Sequence, residues 1–317
     1  MKAVRRVLAV VIVFALSAGL VFYSNPLWVV DQLTRWRLWR AGVKSEYVEA
    51  GGYRLHYFEA GQSEGTPLLL VHGLGARGED WRAMIPALIA SGFHVYAPDL
   101  PGYGRSSRPA DASYSIAMEE AAVVSFMQAV HLTRANVGGW SMGGWISMKL
   151  ALDHPEMVNK LVVYDSAGIY FPANFGPELF VPRDAPGVTR LAKMLSPHPG
   201  PIPEFVTRAV LRNFAQNGWV ISRSMAAMTS GRDLLDFRLH RIGQPTLVVW
   251  GGVDELIPLS VGKKIQEEIP NSTLAVVDGC GHLAPLECWE PVTEATTKFL
   301  HAPPQPVQAS ESAPASH

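Results

Sequence analysis

The chain has 317 residues, 48% hydrophobic and 17% charged, with Lys+Arg 27 against Asp+Glu 28. That length and apolar content can bury a catalytic-sized core, and they exclude a chain disordered by composition. A formal charge of -1 leaves no basic field for phosphates, so nucleic acid is excluded as a general partner.

After Met1-Lys2-Ala3-Val4-Arg5-Arg6 no charged residue occurs until Asp31. The run Val7 to Val30 would extend about 36 Å as a helix, enough to cross a hydrocarbon layer of about 30 Å. Residues 1–30 are therefore expected to be an uncleaved N-terminal transmembrane helix, with Asn25-Pro26 at one interface. The rival is a cleaved signal peptide ending at Ser17 or Gly19. The segment 31–46 continues a stretch from Leu27 that interleaves Trp28, Trp36 and Trp39 with Arg35, Arg37 and Arg40. Indole and guanidinium groups both favour the headgroup layer, so an interfacial amphipathic helix is predicted, with the membrane as its partner. The balance of basic residues on the two sides leaves the membrane face of the remaining chain open. The anchor and juxtamembrane segment are also where a homodimer could form.

Tyr47 to Ala50, Gly51-Gly52 and Tyr53 to Glu59 read as a hairpin that opens a sheet. Short apolar runs follow at Leu68–Val71, His94–Ala97, Ala135–Val137, Leu161–Tyr164, Thr246–Trp250 and Leu274–Val277, most of them separated by helical patterns. Such alternation predicts an α/β fold with a mostly parallel eight-stranded sheet, helices on both faces, and sites at the carboxyl ends of strands. The first core segment spans 47–167 and the second 242–300. Between them, 168–241 is rich in proline, then helical from Glu204 to about Leu239. It is too long for an ordinary connection and is predicted to be a helical cap. Its Phe171, Phe175, Phe180, Phe214, Met225 and Met228, with Met194, Phe205 and Trp219, would divide between cap interior and an apolar chamber for acyl chains. Residues 301–317 read as a disordered tail.

The chemistry centres on Gly139-Trp140-Ser141-Met142-Gly143. A serine hydroxyl needs a base, so a catalytic serine must stand clear of the fold, as a sharp strand-to-helix turn allows. Gly139 and Gly143 would let that turn close. The base is expected to be His282, on the glycine-rich loop after the last strand. Two carboxylates could orient it, Asp254 after the strand ending at Trp250 and, as its rival, Asp165 after the preceding strand. The backbone N–H groups of Met142 and Leu74 would bind an oxyanion. His72, beside Leu74, and the turn Asp99 to Ser106 are read as loop-shaping. Cys280 and Cys288 are read as packing residues, at a spacing that suits neither a zinc site nor a disulfide framework. No cofactor or metal is expected.

His72-Gly73, Asp99-x-Pro101-Gly102-x-Gly104-x-Ser106, the serine pentapeptide with Gly144, Gly251-x-x-Asp254-x-x-x-Pro258 and Gly281-His282 together resemble the alpha/beta-hydrolase superfamily over roughly 47–300, and the resemblance implies Asp254, ahead of Asp165, as the acid. The anchor, juxtamembrane tryptophans and cap add a likeness to membrane-anchored monoacylglycerol lipases and bacterial membrane-bound phospholipases A. That likeness implies a serine hydrolase acting on lipid esters through an acyl-enzyme. Ser141 excludes the epoxide hydrolases and dehalogenases, which carry aspartate there. Leu283 departs from the tryptophan that typically follows the histidine in carbon–carbon bond hydrolases. Hydrolysis of small soluble esters or carbon–carbon bonds, a cofactor-free haloperoxidase activity, and a non-catalytic ligand receptor on the same fold are the alternatives.

Overall fold

The computed structural model describes residues 2–303. Its first helix, α1 (Lys2–Ser24), is long and apolar enough to cross a membrane, and none of its residues is buried. Asn25-Pro26 breaks the chain there, because proline is accepted in a first helical turn but cannot continue a helix. A second helix, α2 (Pro26–Arg40), follows at once. It thus begins inside the segment expected to be anchor.

Strands β1 (Lys44–Ala50) and β2 (Tyr53–Ala60) form the expected hairpin, although β1 starts at Lys44, within the stretch expected to be juxtamembrane. The order then runs β3 (Thr66–Val71), a 3-10 helix Gly78–Ala83, α3 (Ile85–Ala90), β4 (Phe93–Pro98), α4 (Ile116–Ala129), β5 (Ala135–Trp140), α5 (Met142–Asp153) and β6 (Val158–Tyr164). After β6 come α6 (Ala185–Leu195) and α7 (Glu204–Thr229), then β7 (Thr246–Gly251), α8 (Leu259–Glu268), β8 (Ser272–Val277), α9 (Ala284–Glu287) and α10 (Trp289–His301). The helix expected to reach Leu239 stops at Thr229, because Gly231 adopts a left-handed φ of 74° that ends it. Of the tail expected over 301–317, His301 still closes α10, and 304–317 lie outside the described residues.

The sheet order is β1-β2-β4-β3-β5-β6-β7-β8, with β2 antiparallel to β1 and β4 and every later pairing parallel. All six residues of β5 and all six of β7 are buried, as strands covered on both faces must be. The order reverses around β3, and β3, β5, β6 and β7 end side by side. Residues just past those ends are thereby brought together.

One buried group in this frame has no catalytic contact. Glu119 on α4 is 1% exposed, and neither carboxylate oxygen has a hydrogen-bond partner among the described residues. Burial holds its pKa well above the usual carboxylate range. A carboxyl raised in this way contributes stability at acid pH that fades as pH climbs from its unfolded value, about 4.3, through its folded one. Glu119→Gln is therefore expected to flatten the fall of the unfolding midpoint between pH 5 and pH 8. Parallel midpoint-against-pH curves for the variant and the wild type would contradict this.

Candidate active site

Ser141 sits between β5 and α5 with φ 57° and ψ -117°, a conformation few non-glycine residues hold. Its neighbours make that turn possible. A Cβ at Gly139 would collide with the Gly143 carbonyl and Ser147, and one at Gly143 with the carbonyls of Val71 and His72. The first glycine thus lets the turn close on itself, while the second lets α5 approach the end of β3. Ser141 N–H donates to the Tyr164 carbonyl at 2.9 Å, and its own carbonyl accepts from Gly144, Trp145 and Ala167.

His282 lies just before α9, and its Nε2 is 2.9 Å from Ser141 Oγ. Its Nδ1 is 2.8 Å from Asp254 Oδ2. Asp254 Oδ1 is already taken by the N–H groups of Leu256 and Ile257 at 2.8 and 2.9 Å. An ionised carboxylate accepts only, so Nδ1 carries the imidazole proton and Nε2 is left to accept from the serine hydroxyl. The rival acid, Asp165, does not reach the histidine. It is fully buried at the end of β6 with φ 44°; Oδ1 accepts from Gly251 N–H at 2.7 Å, and Oδ2 has no partner among the described residues. Burial, reinforced by the negative charge of Asp254, pushes its pKa well above the usual range.

The chain from Gly73 to Ala76 makes a turn next to the serine, where a Cβ on Gly73 would lie 3.1 Å from Ser141 Cβ. Leu74 and Met142, the two expected oxyanion donors, flank Ser141 from this loop and from the start of α5. Neither N–H donates to another group among the described residues. His72 shapes the loop, as expected. Nδ1 donates to the Gly73 carbonyl at 2.8 Å and Nε2 accepts from Leu100 N–H at 3.0 Å, while burial lowers its pKa and keeps it neutral. Asp99 braces the same region, accepting from Gly78 N–H, Arg105 N–H and His56 Nδ1. Burial pushes Asp99 upward, but the bond from His56 and its neighbours hold it below the usual range.

Sequence reasoning missed two features here. Trp140 Nε1 donates to the His282 carbonyl at 2.9 Å, tying the histidine loop to the elbow; nothing in the residue's position signalled it. Cys280 and Cys288 are not separate packing residues but a disulfide, with Cα atoms 6.3 Å apart. The short helix α9 folds the chain back between them, and a spacing of eight residues carries no signature of that turn. The bridge closes the loop that carries His282.

Above these residues lies a cavity of about 540 Å³. Its walls include the loop Gly73–Ala76, Ser141, His282 and the α6 and α7 segment, with no Lys or Arg among the described lining residues. Phe171, Phe175, Phe180, Phe214, Met225 and Met228 line it. The other three expected apolar residues do not: Trp219 packs on Tyr114, Phe205 on Phe22 and Tyr23, and Met194 against the core.

The described residues hold no cluster of His, Cys, Asp and Glu arranged for a metal ion. A family profile described as alpha/beta hydrolase fold matches residues 66–287. A 2-hydroxymuconate semialdehyde hydrolase of Pseudomonas putida is 31% identical over 263 residues, 79% of this chain and 92% of that one. Lipase 1 of Psychrobacter immobilis is 27% identical over 269 residues, covering 79% and 81% of the two chains. Among solved structures, a membrane phospholipase A described as a bacterial virulence factor superposes with a TM-score of 0.79 at 27% identity, over 95% of this chain and 98% of that one.

Proposed function

The chain belongs to the alpha/beta hydrolase fold family, and from that premise we propose that it is a membrane-tethered serine hydrolase that cleaves lipid carboxylic esters through an acyl-enzyme. The observation that carries the reading is the unbroken line Ser141 Oγ, His282 and Asp254, at 2.9 and 2.8 Å, opening into an apolar cavity. Ser141 Oγ attacks the ester carbonyl while its proton passes to His282 Nε2. The oxygen turns anionic beside the Leu74 and Met142 N–H groups, and Asp254 stabilises the imidazolium. Collapse expels the alcohol with the proton from Nε2; water then repeats the sequence and releases the acid.

An acyl chain suits walls of Phe and Met. The muconate-type relative favours a second reading, carbon–carbon bond hydrolysis. Against it, a substrate carrying a carboxylate would meet no Lys or Arg in the described lining, and Leu283 follows the histidine.

The membrane reading rests on an inverted helix. On α2, Thr34 and Leu38 are buried and Asp31 and Arg35 turn toward the protein, while Trp28, Trp36 and Trp39 are 56%, 52% and 71% exposed. A water-facing helix would show the opposite pattern. The end of α1 meets the cap: Arg208 donates to the Tyr23 hydroxyl and Arg212 to the Ser24 carbonyl, both at 2.9 Å. Deleting residues 1–24 is expected to leave hydrolysis of a short soluble ester within about threefold, while raising the apparent KM for bilayer-presented lipid at least tenfold. Equal losses on both substrates would count against a tether. The cut is placed at 24 because α2 itself is built into the body.

The disulfide favours an oxidising side of that membrane for the catalytic domain. Protein denatured in the presence of a thiol reagent is expected to show no free thiol until reduced, and free thiols in the freshly isolated protein would contradict that placement.

A further inference from the structure

Resting on the serine-hydrolase reading above, a further role falls to the juxtamembrane helix. Its inward charges meet the loop that carries Leu74. Arg77, three residues beyond Leu74, donates through Nη1 and Nη2 to Asp31 at 3.1 and 2.5 Å. Arg77 Nε lies 3.2 Å from Glu79 Oε2, and Glu79 Oε1 accepts from Arg35 Nε at 3.0 Å. Arg35 and Asp31 stand one helical turn apart, 4.0 Å between Nη2 and Oδ2, and close the ring. Two members come from α2, and two, Arg77 and Glu79, from the start of the 3-10 helix that follows the loop. The Glu79 side chain is only 3% exposed, and these two guanidiniums are its ion-pair partners.

Each remaining side of the loop is held from elsewhere in the core. His72 fixes its start through Gly73 and Leu100, and Asp99 fixes Gly78. The outer flank is held by Asp80, in the 3-10 helix just after the loop, which accepts from Arg77 N–H, and by the ring to α2. An oxyanion donor acts only when it points at where the charge develops, and a displacement of about 1 Å is costly.

We propose that Asp31 and Arg35 are positioning residues for the oxyanion loop: through Arg77 and Glu79 they hold the backbone that aims the Leu74 N–H at the reacting carbonyl oxygen. The helix next to the anchor thereby belongs to the catalytic apparatus as well as to the tether. Neither residue lines the cavity.

The test uses the full chain in detergent micelles with p-nitrophenyl butyrate as substrate and butylboronic acid as a tetrahedral mimic. Ser141 Oγ adds to the trigonal boron, its proton passes to His282, and the boron becomes a tetrahedral anion whose oxygen occupies the oxyanion position. Asp31→Asn and Arg35→Gln are expected to lower kcat about tenfold with KM within about twofold, and to weaken boronate inhibition by the same factor. Asp31→Glu, which keeps a carboxylate for Arg77, should retain most of kcat. Leu300→Ala supplies the control, since it removes a buried side chain on α10, away from both the ring and the cavity. It should lower the unfolding temperature and leave kcat and boronate affinity near wild type. The proposal is overturned if the ring variants keep wild-type kcat and boronate affinity, or if Leu300→Ala loses both as they do at equal loss of stability. A wild type that neither hydrolyses the ester nor binds the boronate would instead sink the serine-hydrolase reading, and the proposal with it.

Discussion

Ser141→Ala is expected to lower ester turnover by about four to six orders of magnitude, and His282→Ala by a similar factor. The two act as one unit: at 2.9 Å the imidazole takes the hydroxyl proton during attack, and either partner alone is idle. The double variant should therefore be no worse than either single one. The fold should survive, because Ser141 Oγ has His282 as its only partner among the described side chains and the backbone bonds of the turn do not involve it. Single-turnover kinetics beside thermal unfolding would check both statements. Retention of more than a tenth of wild-type turnover by Ser141→Ala would place the nucleophile elsewhere.

The second large effect separates two carboxylates. Asp254→Asn is expected to cost about four orders of magnitude in kcat, whereas Asp165→Asn should stay within a few-fold of wild type. Both oxygens of Asp254 are committed, Oδ1 to the N–H groups of Leu256 and Ile257 and Oδ2 to His282. An amide there must turn its oxygen to those two donors and its NH2 to Nδ1, which forces the imidazole into the tautomer that cannot accept the serine proton. Asp165 makes a single bond, accepting from Gly251 N–H, which an asparagine oxygen reproduces. Activity lost with Asp165→Asn and kept with Asp254→Asn would reverse the assignment.

How much of this was readable beforehand follows from the range of each interaction. The parallel interior strands announced themselves as short apolar runs because both of their faces are covered, and residues after their ends followed from topology. The edge strand β1 did not show its start, since nearly all of Lys44 to Glu49 is exposed and no alternation marks it. The order serine, acid, histidine was visible, but the choice between Asp254 and Asp165 came from the resemblance; residue types alone left both open. What stayed hidden depends on contacts between distant parts of the chain. The bond from Trp140 to His282 spans 142 residues and that from Arg77 to Asp31 spans 46. The disulfide is short in sequence yet depends on a turn that its spacing does not encode.

The first helix answers to two different judges. None of its residues is buried, and its named contacts with the cap come from Phe22, Tyr23 and Ser24 at its last turn. Ahead of Phe22 only length and oiliness are demanded, so that stretch is free to drift among apolar residues as lineages diverge. The final three residues have no such freedom, because they abut Phe205, Arg208 and Arg212 on the same α7 that roofs the cavity. If the helix serves as the proposed tether, an evolving lineage could exchange most of it for another and still have to preserve its last turn.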